Sequence, residues 1–143
     1  CVFTYFSSCD DNRVVHCGPP APPADFSCID LDLGSATSTS SGSTSGLTND
    51  YSSCAGSGPE RIYRWRAPAT GYYTFDTYGS ALDTVVTVLD GGCSGVSLGC
   101  DDDGYGSGDS YLVVSVTAGL DYVIVVDSKT TTGTSFSLRI AAY

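Results

Sequence analysis

The chemically richest residues of this 143-residue chain crowd into one string, Cys100–Ser110, reading CDDDGYGSGDS. Asp101, Asp102, Asp103 and Asp109 sit there among glycines. Carboxylates held this close repel one another, and a hard cation relieves the repulsion by taking their oxygens as ligands. Calcium is the cofactor such a string suggests. The string is not an EF-hand loop, because Tyr105 takes the third acidic position and Leu112 stands where the closing Glu belongs. Further ligands must therefore come from elsewhere in the chain, with Asp83 first, then Asp90 and Glu60. The metal set expected is Asp83, Asp101, Asp102, Asp103 and Asp109. A competing reading makes the same residues a solvated turn in which Asp side chains cap backbone amides.

Catalytic arrangements are scarce. Nucleophilic catalysis needs a base beside a Ser or Cys, oriented by a third group. The only histidine, His16, lies between Val15 and Cys17. GSTSG at 42–46 puts Thr44 at the centre of a nucleophile-elbow pattern, with no helix to follow it. The carboxylates fall in Gly-rich stretches, with no apolar setting that would raise a pKa. A protein without enzyme activity is expected, with no catalytic residues.

Seven cysteines is heavy use for a chain this size, and no pair has CxxC spacing. With one histidine, metal and redox readings are poorly supported. A disulfide framework in an oxidising, extracellular compartment fits better. An odd number leaves one thiol over, and about 105 pairings exist. Proximity suggests Cys93 with Cys100, Cys28 with Cys54, and Cys9 with Cys17. Cys1 is then left as a reduced buried thiol or as a bond to another chain.

Six Lys and Arg against sixteen Asp and Glu give a net charge of −10. Such a chain is not drawn to nucleic acid or anionic lipid. No apolar run approaches the ~20 residues that span a bilayer. The sequence has no Met at all, so a processed, secreted product is expected.

The elements that must position these residues read as strands. Arg61–Ala67 alternates, with Tyr63, Trp65 and Ala67 on one face. Tyr72–Thr77, Thr84–Leu89, Tyr111–Thr117, Leu120–Asp127 and Thr134–Ala141 follow, the fifth of the six so apolar that it should be central. Period-two alternation punctuated by Gly, Pro, Asp and Ser marks a β-sandwich. No helical period is sustained. Residues 34–58 are Ser-, Thr- and Gly-rich and read as surface loops with one strand near Leu47. Two units result: a Cys-rich arm with a Pro-rich spacer over 1–24, and the sandwich over 25–143. Trp65 and Tyr63 are expected in the core. Tyr72 and Tyr73 should face opposite ways, and Tyr51, Tyr78 and Tyr105 fall in loops, where exposed tyrosine offers rigid contact area for protein or sugar.

The order of motifs from about residue 60 to 141 resembles the bacterial pre-peptidase C-terminal domain. RIYRWRAPATGYYTF resembles its opening strand pair, and TYGSALDTVVTVLD its DT strand. CSGVSLGCDDD is similar to its Cys-flanked loop running into acids. SYLVVSVTAGLDYVIVVDS is similar to its hairpin, and GTSFSLRI to its closing strand. The resemblance implies an all-β, jelly-roll-like antiparallel sandwich that is not itself an enzyme. It also supports calcium, since relatives in bacterial collagenases bind collagen and calcium.

The arm adds another possibility. Val2, Phe3, Tyr5 and Phe6 form an apolar terminal strand beside Cys1, set off by GPPAPPA. A lone strand needs an edge to pair with, and a neighbouring copy can supply one. The leading expectation is an adhesive or structural domain that self-assembles into a filament or surface structure through this arm. The alternative is a targeting module of a secreted peptidase that binds collagen, another protein or carbohydrate.

Overall fold

A computed structural model describes residues 23–143. Cys1, Val2, Phe3, Tyr5, Phe6, Cys9, His16 and Cys17 lie outside the described residues. The elements are β1 (Leu31–Asp32), β2 (Thr39–Ser43), β3 (Glu60–Arg66), β4 (Gly71–Asp76), β5 (Thr84–Asp90), β6 (Val96–Asp101), β7 (Tyr111–Val116), β8 (Asp121–Ser128) and β9 (Ser135–Ala142). They form a five-stranded sheet ordered β1-β3-β8-β5-β6 and a four-stranded sheet ordered β2-β9-β4-β7. Pairing is antiparallel except for the short β1–β3 contact. This is the expected all-β sandwich, and β8 is the central strand of its larger sheet.

The alternation explains the layers. Odd positions of β3 turn Tyr63 and Trp65 inward, where they meet Tyr73, Phe75, Val114, Val116, Phe136, Leu138 and Ile140 from the opposing sheet. Trp65 is fully buried and edge-on to Tyr73 and Phe75, with centroids at 5.1 and 5.5 Å. Its indole N–H donates to the Ala36 carbonyl at 3.0 Å, so its one polar atom is satisfied. Tyr72 points out to solvent while Tyr73 is buried, as alternation requires.

The other face of the five-stranded sheet is also apolar. Ile62, Leu89, Val123 and Val125 cluster there and are covered by Phe26, Cys28, Ile29 and Tyr51. Residues 25–30 and 48–58 thus form a two-part strap over the outside of the sheet, while β2 between them joins the opposing sheet. Two disulfides fasten it to the β5–β6 hairpin, Cys28–Cys93 and Cys54–Cys100, with Cα separations of 5.9 and 6.2 Å.

Three expectations need correction. The pairings Cys93–Cys100 and Cys28–Cys54 do not form. Residues 96–101 are strand β6, not a loop, and an extended strand carries Cys93 and Cys100 past the ~7 Å Cα limit of a disulfide. The strand of the Ser/Thr-rich stretch is Thr39–Ser43, paired with β9, whereas Leu47 lies in a turn bonded to Thr44 O. An edge strand of Ser, Thr and Gly pairs through its backbone and leaves no apolar period to read. Tyr51 is not a free loop tyrosine but packs on the outer cluster.

Asp121 opens β8 and receives hydrogen bonds from Arg66 Nε at 3.0 Å and Arg64 Nη2 at 2.9 Å. Arg66 first, then Arg64, hold its carboxyl at about 2, below the ordinary 3.8. A lowered carboxylate contributes stability above its ordinary value and loses it as pH falls toward the folded value. Urea unfolding between about pH 6 and about pH 2 should show this loss below about pH 4, and Asp121→Asn should flatten that limb.

Candidate functional site

The acidic string lies at one end of the sandwich, between β6 and β7. Its path needs glycine. Gly106, Ser107 and Gly108 all have positive φ, at 81°, 61° and 86°, a run that side chains rarely tolerate. A buried hydroxyl knot anchors the loop: Ser110 N donates to Thr77 Oγ1 at 2.9 Å and Ser110 Oγ to Thr84 O at 2.8 Å. This ties together the loop preceding β7, the turn after β4 and the start of β5.

The aspartates divide into two kinds. Asp101 Oδ2 accepts the amides of Gly104 at 2.7 Å and Tyr111 at 2.8 Å. Asp109 accepts those of Gly79 at 2.9 Å and Ser80 at 3.2 Å. Both are backbone caps. Asp83, Asp102 and Asp103 bring one carboxylate oxygen each within 4.8 Å of the others, although Asp103 Oδ1 also accepts the Gly108 amide at 3.1 Å. Asp102 Oδ1 is buried without a hydrogen-bond partner. Oxygen donors of this kind suit a hard divalent cation. Lys129, just after β8, reaches into the same cluster, bonding Asp102 and lying 3.3 Å from Asp103. Those bonds raise its ammonium pKa, that to Asp102 most.

Of the expected set, Asp83, Asp102 and Asp103 come together, and Asp101 and Asp109 stand beside them in capping roles. Asp90 is at the far end of β5 from Asp83. Glu60 is buried on β3, opposite Asp127 of β8. The expectation that no carboxylate has an apolar setting is therefore wrong. Burial raises the pKa of both Glu60 and Asp127. Thr44 is buried at the end of β2 and forms no nucleophile elbow. Lys129 was not legible as part of the site, since only the turn after β8 brings it there.

Beside the carboxylates stands a tyrosine group. Tyr78 and Tyr105 are 66% and 44% exposed, with ring centroids 5.0 Å apart. Tyr111 meets Tyr105 edge-on at 5.2 Å. Gly104, Tyr105 and Tyr111 line a shallow depression of about 250 Å³. Arg139 donates to Asp76 at 2.8 Å beneath this end.

Fold and site together define a disulfide-fastened β-sandwich carrying an acidic, tyrosine-bearing end face. No protein-family model matches the chain, and no curated protein matches it. Solved structures share the fold, two of them as follows. One is the pre-peptidase C-terminal domain of a collagenase from Bacillus anthracis, with a TM-score of 0.56 and 9% identity over 79% of this chain and 96% of that one. The other is PliG of Aeromonas hydrophila, a periplasmic inhibitor of g-type lysozyme, with a TM-score of 0.51 and 16% identity over the same shares. At such identities the likeness is one of fold, and at that level the resemblance drawn from the motifs holds. The fold thus occurs in an enzyme's accessory domain and in an enzyme inhibitor. Both disulfides fit an oxidising compartment.

The two kinds of aspartate separate experimentally. Asp101→Ala strips the partner from two backbone amides and should cost about 1–3 kcal/mol in thermal or urea unfolding, without added metal. Asp103→Asn keeps an oxygen for the Gly108 amide and loses only an exposed charge, so it should change stability by less than about 0.5 kcal/mol under the same conditions.

Proposed function

We propose that this chain is a non-catalytic extracellular interaction domain that binds another protein through its acidic, tyrosine-bearing end. The observation that carries this reading is the solvent-facing Tyr78–Tyr105 pair, held on Tyr111 beside Asp102 and Asp103. Tyrosine supplies large, rigid contact area at little conformational cost, and such side chains dominate binding energy at interfaces. The shared fold of a collagenase's pre-peptidase C-terminal domain and of a lysozyme inhibitor supports contact with a protein. A substrate-targeting role follows naturally, with collagen or a comparable extracellular protein as the ligand. Tyr78→Ala with Tyr105→Ala should weaken binding to an immobilised protein ligand by at least tenfold with an unchanged melting temperature. Retention on a polysaccharide column instead, lost in the same variant, would reassign the partner as carbohydrate.

Calcium is the cation proposed for Asp83, Asp102 and Asp103. Their oxygens and the unpartnered Asp102 Oδ1 fit a hard ion, and Lys129 competes for the same place. Calcium should raise the melting temperature, Asp102→Asn with Asp103→Asn should abolish the rise, and Lys129→Met should tighten calcium binding in calorimetry. No rise in either wild type or Lys129→Met would sink the calcium site.

A second reading is self-association through the arm, with Val2, Phe3, Tyr5 and Phe6 as contacts and Cys1 as the covalent link. It is favoured by one feature: the described chain begins beside the β5–β6 turn, which leads into the edge strand β6. Asp25 O accepts the Cys93 amide at 2.7 Å, and Val96 and Leu98 of β6 are exposed. Non-reducing electrophoresis should then show a ladder that collapses on reduction and disappears when residues 1–17 are removed. A single monomer band from the full chain would end this reading.

A further inference from the structure

The outer face of the five-stranded sheet holds two carboxylates that none of these roles uses. Glu60 and Asp127 stand directly opposite each other in the β3–β8 pairing, on the face of Ile62, Val123 and Val125. Opposed residues place their Cβ atoms about 4.5–5.5 Å apart. Both are buried, at 4% and 0% exposure. Each gives one oxygen to the strap. Glu60 Oε1 accepts the amides of Asp50 and Tyr51, both at 2.7 Å. Asp127 Oδ2 accepts the Ser53 hydroxyl at 2.7 Å, and Ser53 Oγ accepts the Gly56 amide at 2.8 Å. Each also keeps one oxygen, Glu60 Oε2 and Asp127 Oδ1, buried without a partner.

The surroundings offer no counter-charge. The strap brings Asp50 and Tyr51, and the preceding segment brings Asp30, whose Oδ2 accepts the Ile62 amide at 2.8 Å. β5 contributes Val85 and Thr87, and the Thr87 hydroxyl is spent on Cys100 Sγ. Arg61 alternates to the opposite face and donates to Ser43 O. Lys129 is engaged by Asp102 and Asp103. No cationic side chain among the described residues pairs with Glu60 or Asp127.

We propose that Glu60 and Asp127 share a single proton between their two unpartnered oxygens, and that this proton makes the strap over residues 49–57 a pH-sensitive fastening. Two adjacent buried carboxylates cannot both ionise cheaply, whereas one proton between them satisfies both orphan oxygens. Burial first, and for Glu60 the neighbouring Asp127 charge as well, push both carboxyls up. A carboxyl raised by folding contributes stability below its ordinary range and loses it as pH climbs through the folded value. The pair titrates as a unit, so its second ionisation is the one that matters. Beyond it, two facing charges are relieved by hydration, and hydration requires the strap to lift. The Cys54–Cys100 bond keeps the lifted strap tethered.

Amide hydrogen exchange on the intact, oxidised protein tests this. The protection factors of the Asp50 and Tyr51 amides should fall about tenfold as pH rises through the pair's second ionisation, one pKa unit being a factor of ten. That of Phe75, deep in the sandwich, should not change. Asp127→Asn keeps an oxygen for Ser53 and offers an N–H to Glu60, so its strap should stay protected and indifferent to pH. Infrared spectroscopy of the wild type provides a measurement that needs no variant. A protonated-carboxyl band should persist above the ordinary carboxylate range and vanish with the protection. Absence of that band at every pH above the ordinary carboxylate range, or equal pH dependence in Asp127→Asn, overturns the proposal. So does loss of both band and pH dependence on adding millimolar calcium, which would make the resident a metal ion.

Discussion

The five-stranded sheet is apolar on both faces, and everything else in the molecule answers to that. Nearly all of β5 and all of β8 beyond Asp121 are buried. One face is covered in the ordinary way, by a second sheet whose side chains close around Trp65. The other has no second sheet. It is covered by residues 25–30 and 48–58, which are largely polar or small and contribute few apolar anchors of their own. Such a segment loses much conformational freedom on ordering and recovers little from burial. The disulfides, the Asp30 and Glu60 caps on backbone amides and the Ser53–Asp127 bond make up the difference.

That arrangement gives the two disulfides a common purpose. Each joins a point on the strap to the β5–β6 hairpin, 65 and 46 residues apart in the chain. Closing loops this long removes much freedom from the unfolded chain, on the order of 4 kcal/mol for each in the entropic account. The buried carboxylates act at shorter range, by organising backbone amides that would otherwise be orphaned under the strap.

At the end of the sandwich the same economy of aspartates appears in a different form. Asp101 and Asp109 are consumed by the turn, Asp103 gives it one oxygen, and Asp83, Asp102 and Asp103 converge beside it. Lys129 balances part of that charge. The exposed tyrosines rest on this loop, so the stiffness of the turn is passed to the face they present.

Much of the fold was legible in the residues. Alternation marked six of the nine strands, named β8 as central, placed Trp65 and Tyr63 inside and turned Tyr72 and Tyr73 opposite ways, because burial of one sheet face stamps a period of two on the chain. The acidic string and the loop tyrosines were legible by composition. What the chain alone could not decide were contacts between segments distant in sequence. Cysteine partners depend on where strands end in space, and β6 hid its strand character among glycines. The split of the aspartates into caps and cluster depended on which amides faced them. The burial of Glu60 and Asp127 depended on a strap whose own composition reads as exposed. Period and composition are local quantities, whereas pairing, capping and desolvation are set by whatever the fold brings alongside.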